Sequence, residues 1–228
     1  MNESPPAQLP LKLSLRESAT FAGFFPAGNE AAVHALRQAT EPYVFLAGVE
    51  GSGKTHLLQA ACYAARESGT SSAYIPLARQ DELAPGVLEG LEHVELVCLD
   101  DVNAVAGNAA WELALFNLFN QIHGTDGRLL ITGSEVPTHL PIGLADLASR
   151  LTWGPVFQLR VLADEHKTAA LQLRAASRGL ELPDEVAAYL LRRCPRDLAS
   201  LFALLDRLDT ASLAAQRRLT IPFVRQFV

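Results

Sequence analysis

Cysteine is scarce: Cys62, Cys98 and Cys194 stand far apart in a chain of 228 residues. They form no CxxC pair and share no metal-ligand spacing with the histidines. A disulfide framework and a zinc site are therefore excluded, and buried thiols in a reducing compartment are expected. Basic residues are outnumbered, with 19 Lys and Arg against 25 Asp and Glu, a net charge of −6. That balance excludes a general grip on nucleic acid, which needs clustered cations to displace counterions. No apolar run reaches 18 residues, and the N-terminus has no basic segment followed by an apolar one. Neither a membrane-spanning helix nor a leader is expected, and the reading is a cytoplasmic protein with no membrane partner.

What remains is 49% hydrophobic and 19% charged, enough to build a substantial core. Apolar runs recur at 43–48 (YVFLAG), 72–77 (SAYIPL), 94–101 (VELVCLDD), 128–134 (RLLITGS) and 156–161 (VFQLRV). Helical patterns lie between them. "THLLQAACYAARESG" ends at Gly69, a suitable residue for a helix C-terminus. "WELALFNLFNQIHG" sets Trp111, Leu115, Leu118, Phe119 and Ile122 on one stripe. Strands alternating with helices predict an α/β fold with a parallel sheet and right-handed crossovers.

From about Ala163 the strand runs stop. One helix is predicted from an N-cap at Asp164 to Gly179, and a second opens with Pro183. A third begins at Arg196 and carries Leu198, Leu201, Phe202, Leu205 and Leu208 on one stripe. A last one has Pro222 in its first turn. The expected organisation is an N-terminal tail over 1–17, a nucleotide-binding base over 18–162 and a helical lid over 163–228.

"GVEGSGKT", Gly48–Thr55, matches G-x-x-x-x-G-K-[ST] between an apolar run and a helix. Gly48, Gly51 and Gly53 let the backbone curl so that N–H groups, with those of Ser52 and His56, turn toward phosphate. The positive end of the following helix adds to that field. Lys54 neutralises phosphate oxygens, and the Thr55 hydroxyl suits Mg²⁺. "LVCLDD" ends an apolar strand at Asp100, expected to face the Mg²⁺ shell. Asp101 stands where a water-activating carboxylate belongs. Aspartate is a methylene shorter than glutamate, which predicts tight nucleotide binding with slow turnover. For Asp100 and Asp101 alike, capping of the next helix is the competing reading. Arg196, at the unfavourable end of a helix dipole, suggests an anionic neighbour such as a phosphate; a solvated arginine beside Asp197 is the competing reading. Arg150, in "ADLASRL", reads equally as a surface salt bridge or as a cation projecting toward a neighbour's γ-phosphate.

Together the phosphate loop, the paired aspartates, "SRL" before the fifth strand and an arginine in a helical lid resemble AAA+ ATPases of the DnaA initiator type. The resemblance spans roughly residues 18–228 and includes "TFAGFFPAGNEAAVHAL" at 20–36. It implies a five-stranded parallel sheet in the order 5-1-4-3-2, bound ADP or ATP with Mg²⁺, Arg150 as a trans arginine finger and Arg196 as sensor 2. At sensor 1 the best match is Ser134 followed by Glu135, where the family places an acidic residue. The chain ends at Val228, so the helix-turn-helix DNA-binding domain of an initiator is expected to be absent, and with it direct sequence-specific DNA binding. "AWELALFNLFNQI", "DLASRL" and "AQRRLTIPFV" are similar to DnaA-related regulators of replication initiation. Those act from the DNA polymerase sliding clamp, its beta subunit, on the ATP of DnaA.

"AQLPLKLSLR" at 7–16 resembles a clamp-binding peptide, Q-x-x-L-x-[LF], through Gln8, Leu11 and Leu13, with Leu9 beside them. Alternating leucines of an extended segment share one side, and Pro10 limits the ordering cost. An arm packed on the chain's own domain is the competing reading. A monomer and a homodimer that hides this segment both stay open. The alternative function is an autonomous, DNA-stimulated AAA+ ATPase of the helicase-loader or transposition-helper type.

Overall fold

The computed structural model describes residues 19–195 and 197–228. Among them β1 (Tyr43–Ala47), β2 (Ser72–Pro76), β3 (Leu96–Asp100), β4 (Arg128–Gly133) and β5 (Val156–Gln158) form one sheet. Its order is β2-β3-β4-β1-β5, and every pairing is parallel. That is the expected 5-1-4-3-2 order. β1 and β3 are buried at every position, as inner parallel strands covered on both faces must be.

Alternation along each strand divides the core. Val44, Leu46, Leu96, Cys98 and Leu130 pack on one face with Leu57, Leu58 and Cys62 of α2 (Lys54–Glu67) and Leu36 of α1 (Glu30–Gln38). Phe45, Val97, Leu99, Leu129 and Ile131 face α3 (Ala109–Ile122) and α4 (Ala145–Arg150). Trp111, Leu115, Leu118, Phe119 and Ile122 of α3 are all buried there, the predicted stripe. Helices α5 (Asp164–Ala176), α6 (Asp184–Arg193), α7 (Leu198–Ala215) and α8 (Ile221–Val224) enclose a separate core of Leu171, Val186, Leu190, Leu205, Leu208 and Phe223.

Element ends differ from expectation for identifiable reasons. β3 begins at Leu96 rather than 94, because Val94 closes a 3₁₀ turn. β5 stops at Gln158 rather than 161. Leu159 still donates its N–H to Ala47 O at 2.7 Å. Beyond it, the Asn29 side chain takes both backbone groups of Arg160, accepting from its N–H at 2.8 Å and donating to its C=O at 3.0 Å. Asp164 is the first residue of α5, with Ala163 in the cap position. The helix expected from Arg196 starts at Leu198, where the Asp197 carboxylate accepts from Ser200 N at 2.7 Å. That bond holds the Asp197 carboxyl below the usual carboxylate range. Gly69 follows α2 in a left-handed conformation, φ +78°, as its position predicts.

Candidate functional site

The carboxyl ends of β1, β3 and β4 open on one cleft, of about 860 Å³. Such sheets place ligand sites there, beyond the strand ends. The loop from β1 to α2 forms its floor. Gly48 N–H donates to Gly133 O at 3.1 Å, tying the loop's start to β4. A Cβ on Gly48 would lie 2.6 Å from Ser52 Oγ, so glycine is required for the curl. Gly53 has φ +94°, and a Cβ there would meet the Phe24 ring at 2.6 Å. Helix α2 begins immediately afterwards with no side-chain cap, which leaves its first-turn N–H groups toward the cleft. Gly51, Ser52, Gly53, Lys54, Thr55 and His56 all line the cavity; Gly48 lies beneath it.

Lys54 is buried, and its ammonium donates to Gly48 O at 2.6 Å and Val49 O at 3.2 Å. Thr55 is exposed at the cleft. Ser52 Oγ is buried with no protein partner among the described residues. His56 Nε2 donates to Thr20 O at 2.8 Å, and its ring lies 5.5 Å from that of Phe24. The segment 19–29 is thereby drawn across the phosphate loop and contributes Phe24, Phe25 and Asn29 to the wall.

The two aspartates part company. Asp100 is buried, and both carboxylate oxygens accept from hydroxyls: Thr132 Oγ1 at 2.6 Å and Tyr74 OH at 2.7 Å. Burial, then the Asp100 charge, pushes the Tyr74 hydroxyl far up. Asp101 has φ +58°, a left-handed backbone, and its N–H donates to Thr132 Oγ1 at 2.8 Å. This turns Asp101, and not Asp100, into the cleft lining. Burial raises the Asp101 carboxyl, and the neighbouring Asp100 raises it further against the pull of Lys54. Ser134 also lines the cleft, with its N–H on Asn103 Oδ1 at 2.9 Å. The lid supplies Arg174, Leu198, Phe202 and Asp206. Buried Arg174 stacks over the Phe202 ring at 5.3 Å.

Arg150 lies outside this cleft, at the end of α4. Its guanidinium carbon sits 3.9 Å from the Trp153 ring and 5.7 Å from that of Phe116. It joins no ion pair among the described residues. Arg196 and the segment with Gln8, Leu9, Leu11 and Leu13 lie outside the described residues.

Sequence reasoning missed Tyr74, Thr132, Asn29 and Arg174. The first three are ordinary strand or loop residues whose partners lie far along the chain. Arg174 alone gave a local signal, a cation among the apolar positions of "ALQLRAA".

A family model described as Hda, lid domain, matches residues 164–228. The whole fold is similar to domain III of the replication initiation protein DnaA of Thermotoga maritima. The TM-score is 0.75 at 24% identity, covering 92% of this chain and 95% of that one. AMPPCP-bound DnaA from Aquifex aeolicus gives 0.69 at 23% identity, and this chain spans 66% of its length with 85% of its own. The RuvB Holliday junction branch migration motor of Thermotoga maritima gives 0.57 at 18%, over 85% of this chain and 63% of that one. With a parallel sheet in the order 2-3-4-1-5 and a phosphate-loop cleft beyond its strand ends, the chain has the fold of domain III of DnaA, and its residues 164–228 match the Hda lid.

Proposed function

We propose that the cleft binds ADP or ATP with Mg²⁺, and that the chain uses this bound form to regulate the ATP of DnaA. The observation that carries the reading is a phosphate loop closed over by an Hda-type lid. The residues suit the nucleotide. Ser52 Oγ is buried without a protein partner among the described residues, the uncapped start of α2 offers N–H donors, and a Cβ at Gly48 would crowd Ser52 Oγ. Lys54 supplies the cation, its ammonium exchanging loop carbonyls for phosphate oxygens. Arg174 and Arg196 are the lid cations. Phe24 and Phe25 give apolar wall, and the arm held by His56 closes the side. Thr55 and Asp101 are the oxygen donors for the metal shell at the cleft, with Asp100 behind them.

Mg²⁺ neutralises phosphate charge when bound. The chain's own turnover is expected to be slow. Asp101 is aspartate rather than glutamate, a methylene shorter, and so reaches an attacking water less well. The expected single-turnover rate lies below about 1 s⁻¹, the low end of ordinary enzymes.

In the wider reading, residues 1–17 are a tail preceding the base (18–162) and lid (163–228), and Gln8, Leu9, Leu11 and Leu13 bind the sliding clamp. Tethering raises the local concentration near DNA-bound initiator. Arg150, unused by the chain's own cleft, serves as the finger that stabilises charge developing on DnaA's γ-phosphoryl oxygens. Hydrolysis of DnaA-bound ATP is the test, measured with this protein and with or without clamp loaded on DNA. Stimulation that needs the loaded clamp supports the regulator. No stimulation, with DNA-dependent turnover by this chain alone, overturns it in favour of an autonomous ATPase.

A further inference from the structure

Arg150 is held by a structure built for it. After α4 the chain folds back, with Thr152 N–H on Ser149 O at 3.2 Å and Trp153 N–H on Arg150 O at 3.0 Å. Gly154 then presses against β1 so closely that a Cβ would lie 2.0 Å from Tyr43 O. Only glycine permits that approach, and the approach brings the Trp153 ring onto Arg150. Trp153 is itself fixed from the other side. His123 lies 4.7 Å from its ring, and Tyr43 meets it edge-on at 5.8 Å. The Tyr43 hydroxyl bonds His123 Nδ1 at 3.2 Å, and Tyr43 stacks on buried Phe119. An aromatic chain thus runs from the core to the guanidinium.

A carboxylate could also orient an arginine. It would occupy the N–H donors and compete with any incoming phosphate. An aromatic face orients the plane of the guanidinium, strips part of its hydration and leaves the edge donors unused. We infer that Trp153 is a positioning residue for Arg150, presenting a pre-oriented, unneutralised guanidinium to the phosphate oxygens of a nucleoside triphosphate held by another molecule. The inference rests on the proposal that Arg150 acts in trans.

The experiment compares Trp153→Phe, Trp153→Leu and Arg150→Ala in the clamp-dependent hydrolysis of DnaA-bound ATP, with clamp and ADP binding measured for each. Trp153→Leu should lower the maximal stimulated rate about two- to fivefold, with the half-saturating concentration little changed, the scale of a cation–π contact at an exposed site. Trp153→Phe, which keeps a π face, should retain most of the rate. Arg150→Ala should abolish stimulation. It should also shift tryptophan emission, because Trp153 is the exposed member of the two tryptophans and Trp111 is buried. Arg150→Ala with full stimulation overturns the trans-arginine reading itself. Loss in Arg150→Ala with full activity in Trp153→Leu overturns the positioning role alone. Equal loss in the Phe and Leu variants, or unchanged emission in Arg150→Ala, overturns the π-face argument.

Discussion

Glu112 shows how one buried charge organises the base. It sits in α3 beside Trp111, only 2% exposed, in a stretch whose neighbours are apolar. Oε1 accepts from Gly107 N at 2.7 Å and Gly143 N at 3.0 Å, and Oε2 accepts from Leu144 N at 2.7 Å. Burial alone would raise this carboxyl, but the three amide donors outweigh it and hold it below the usual carboxylate range. The bonded form therefore stabilises the fold above the unfolded pKa, about 4.3. That contribution is lost as pH falls through the lower folded value. Glu112→Ala strands three amides and should cost about 2–4 kcal/mol in urea unfolding at neutral pH. Glu112→Gln should also destabilise, because its NH₂ faces at least one of the three donors. Against wild type, the deficit of either variant should shrink on acidification below about pH 4.

The N-terminal arm, residues 19–29, is the element that joins phosphate loop to sheet edge. Phe24 packs on Gly53, Thr20 O accepts from His56, and Asn29 pairs with both backbone groups of Arg160. Asn29→Ala removes two hydrogen bonds at a buried site, a loss of about 1–3 kcal/mol. It should raise protease cleavage within 19–29 and weaken ADP binding by fluorescence titration. Asn29→Asp keeps the acceptor but sets a buried carboxylate oxygen against the Arg160 carbonyl and should be no milder than Asn29→Ala. This element also marks what the sequence could disclose. The phosphate loop was legible because its chemistry is local: an eight-residue pattern from Gly48 to Thr55, a strand before and a helix after. The α3 stripe was legible because periodicity is local too. The end of β5 was not, since Val161 and Leu159 read as strand while a side chain about 130 positions away claims the Arg160 backbone. For the same reason Asp100 read as the carboxylate facing the Mg²⁺ shell and Asp101 as the water-activating one, with no sign that Asp100 is enclosed by hydroxyls. Their division of labour depends on Thr132 and Tyr74, brought up by β4 and β2.

At the scale of the molecule, base and lid have separate cores yet wall one cleft. A ligand in that cleft binds the two together only when both are folded. ADP at 100 times its dissociation constant should therefore add about 2.7 kcal/mol to stability. For a chain of this size that corresponds to a melting-temperature rise of several degrees, measurable by calorimetry. Lys54→Ala should lose the rise while melting near the ligand-free wild type. A rise that survives Lys54→Ala would place the ligand elsewhere.

The arm's anchorage has a further consequence, for distance. Leu13, the last leucine of the proposed clamp motif, is six peptide steps from Ala19, where the described arm starts. Fully extended, that leash reaches about 20 Å. A ring gripped by Gln8–Leu13 must then stay within about 20 Å of the mouth of the nucleotide cleft, whatever else moves. The proposed tether would restrict the approach of DNA and initiator as well as concentrate them. Lengthening residues 14–18 with Gly and Ser should leave clamp affinity unchanged but lower clamp-dependent stimulation as the leash grows.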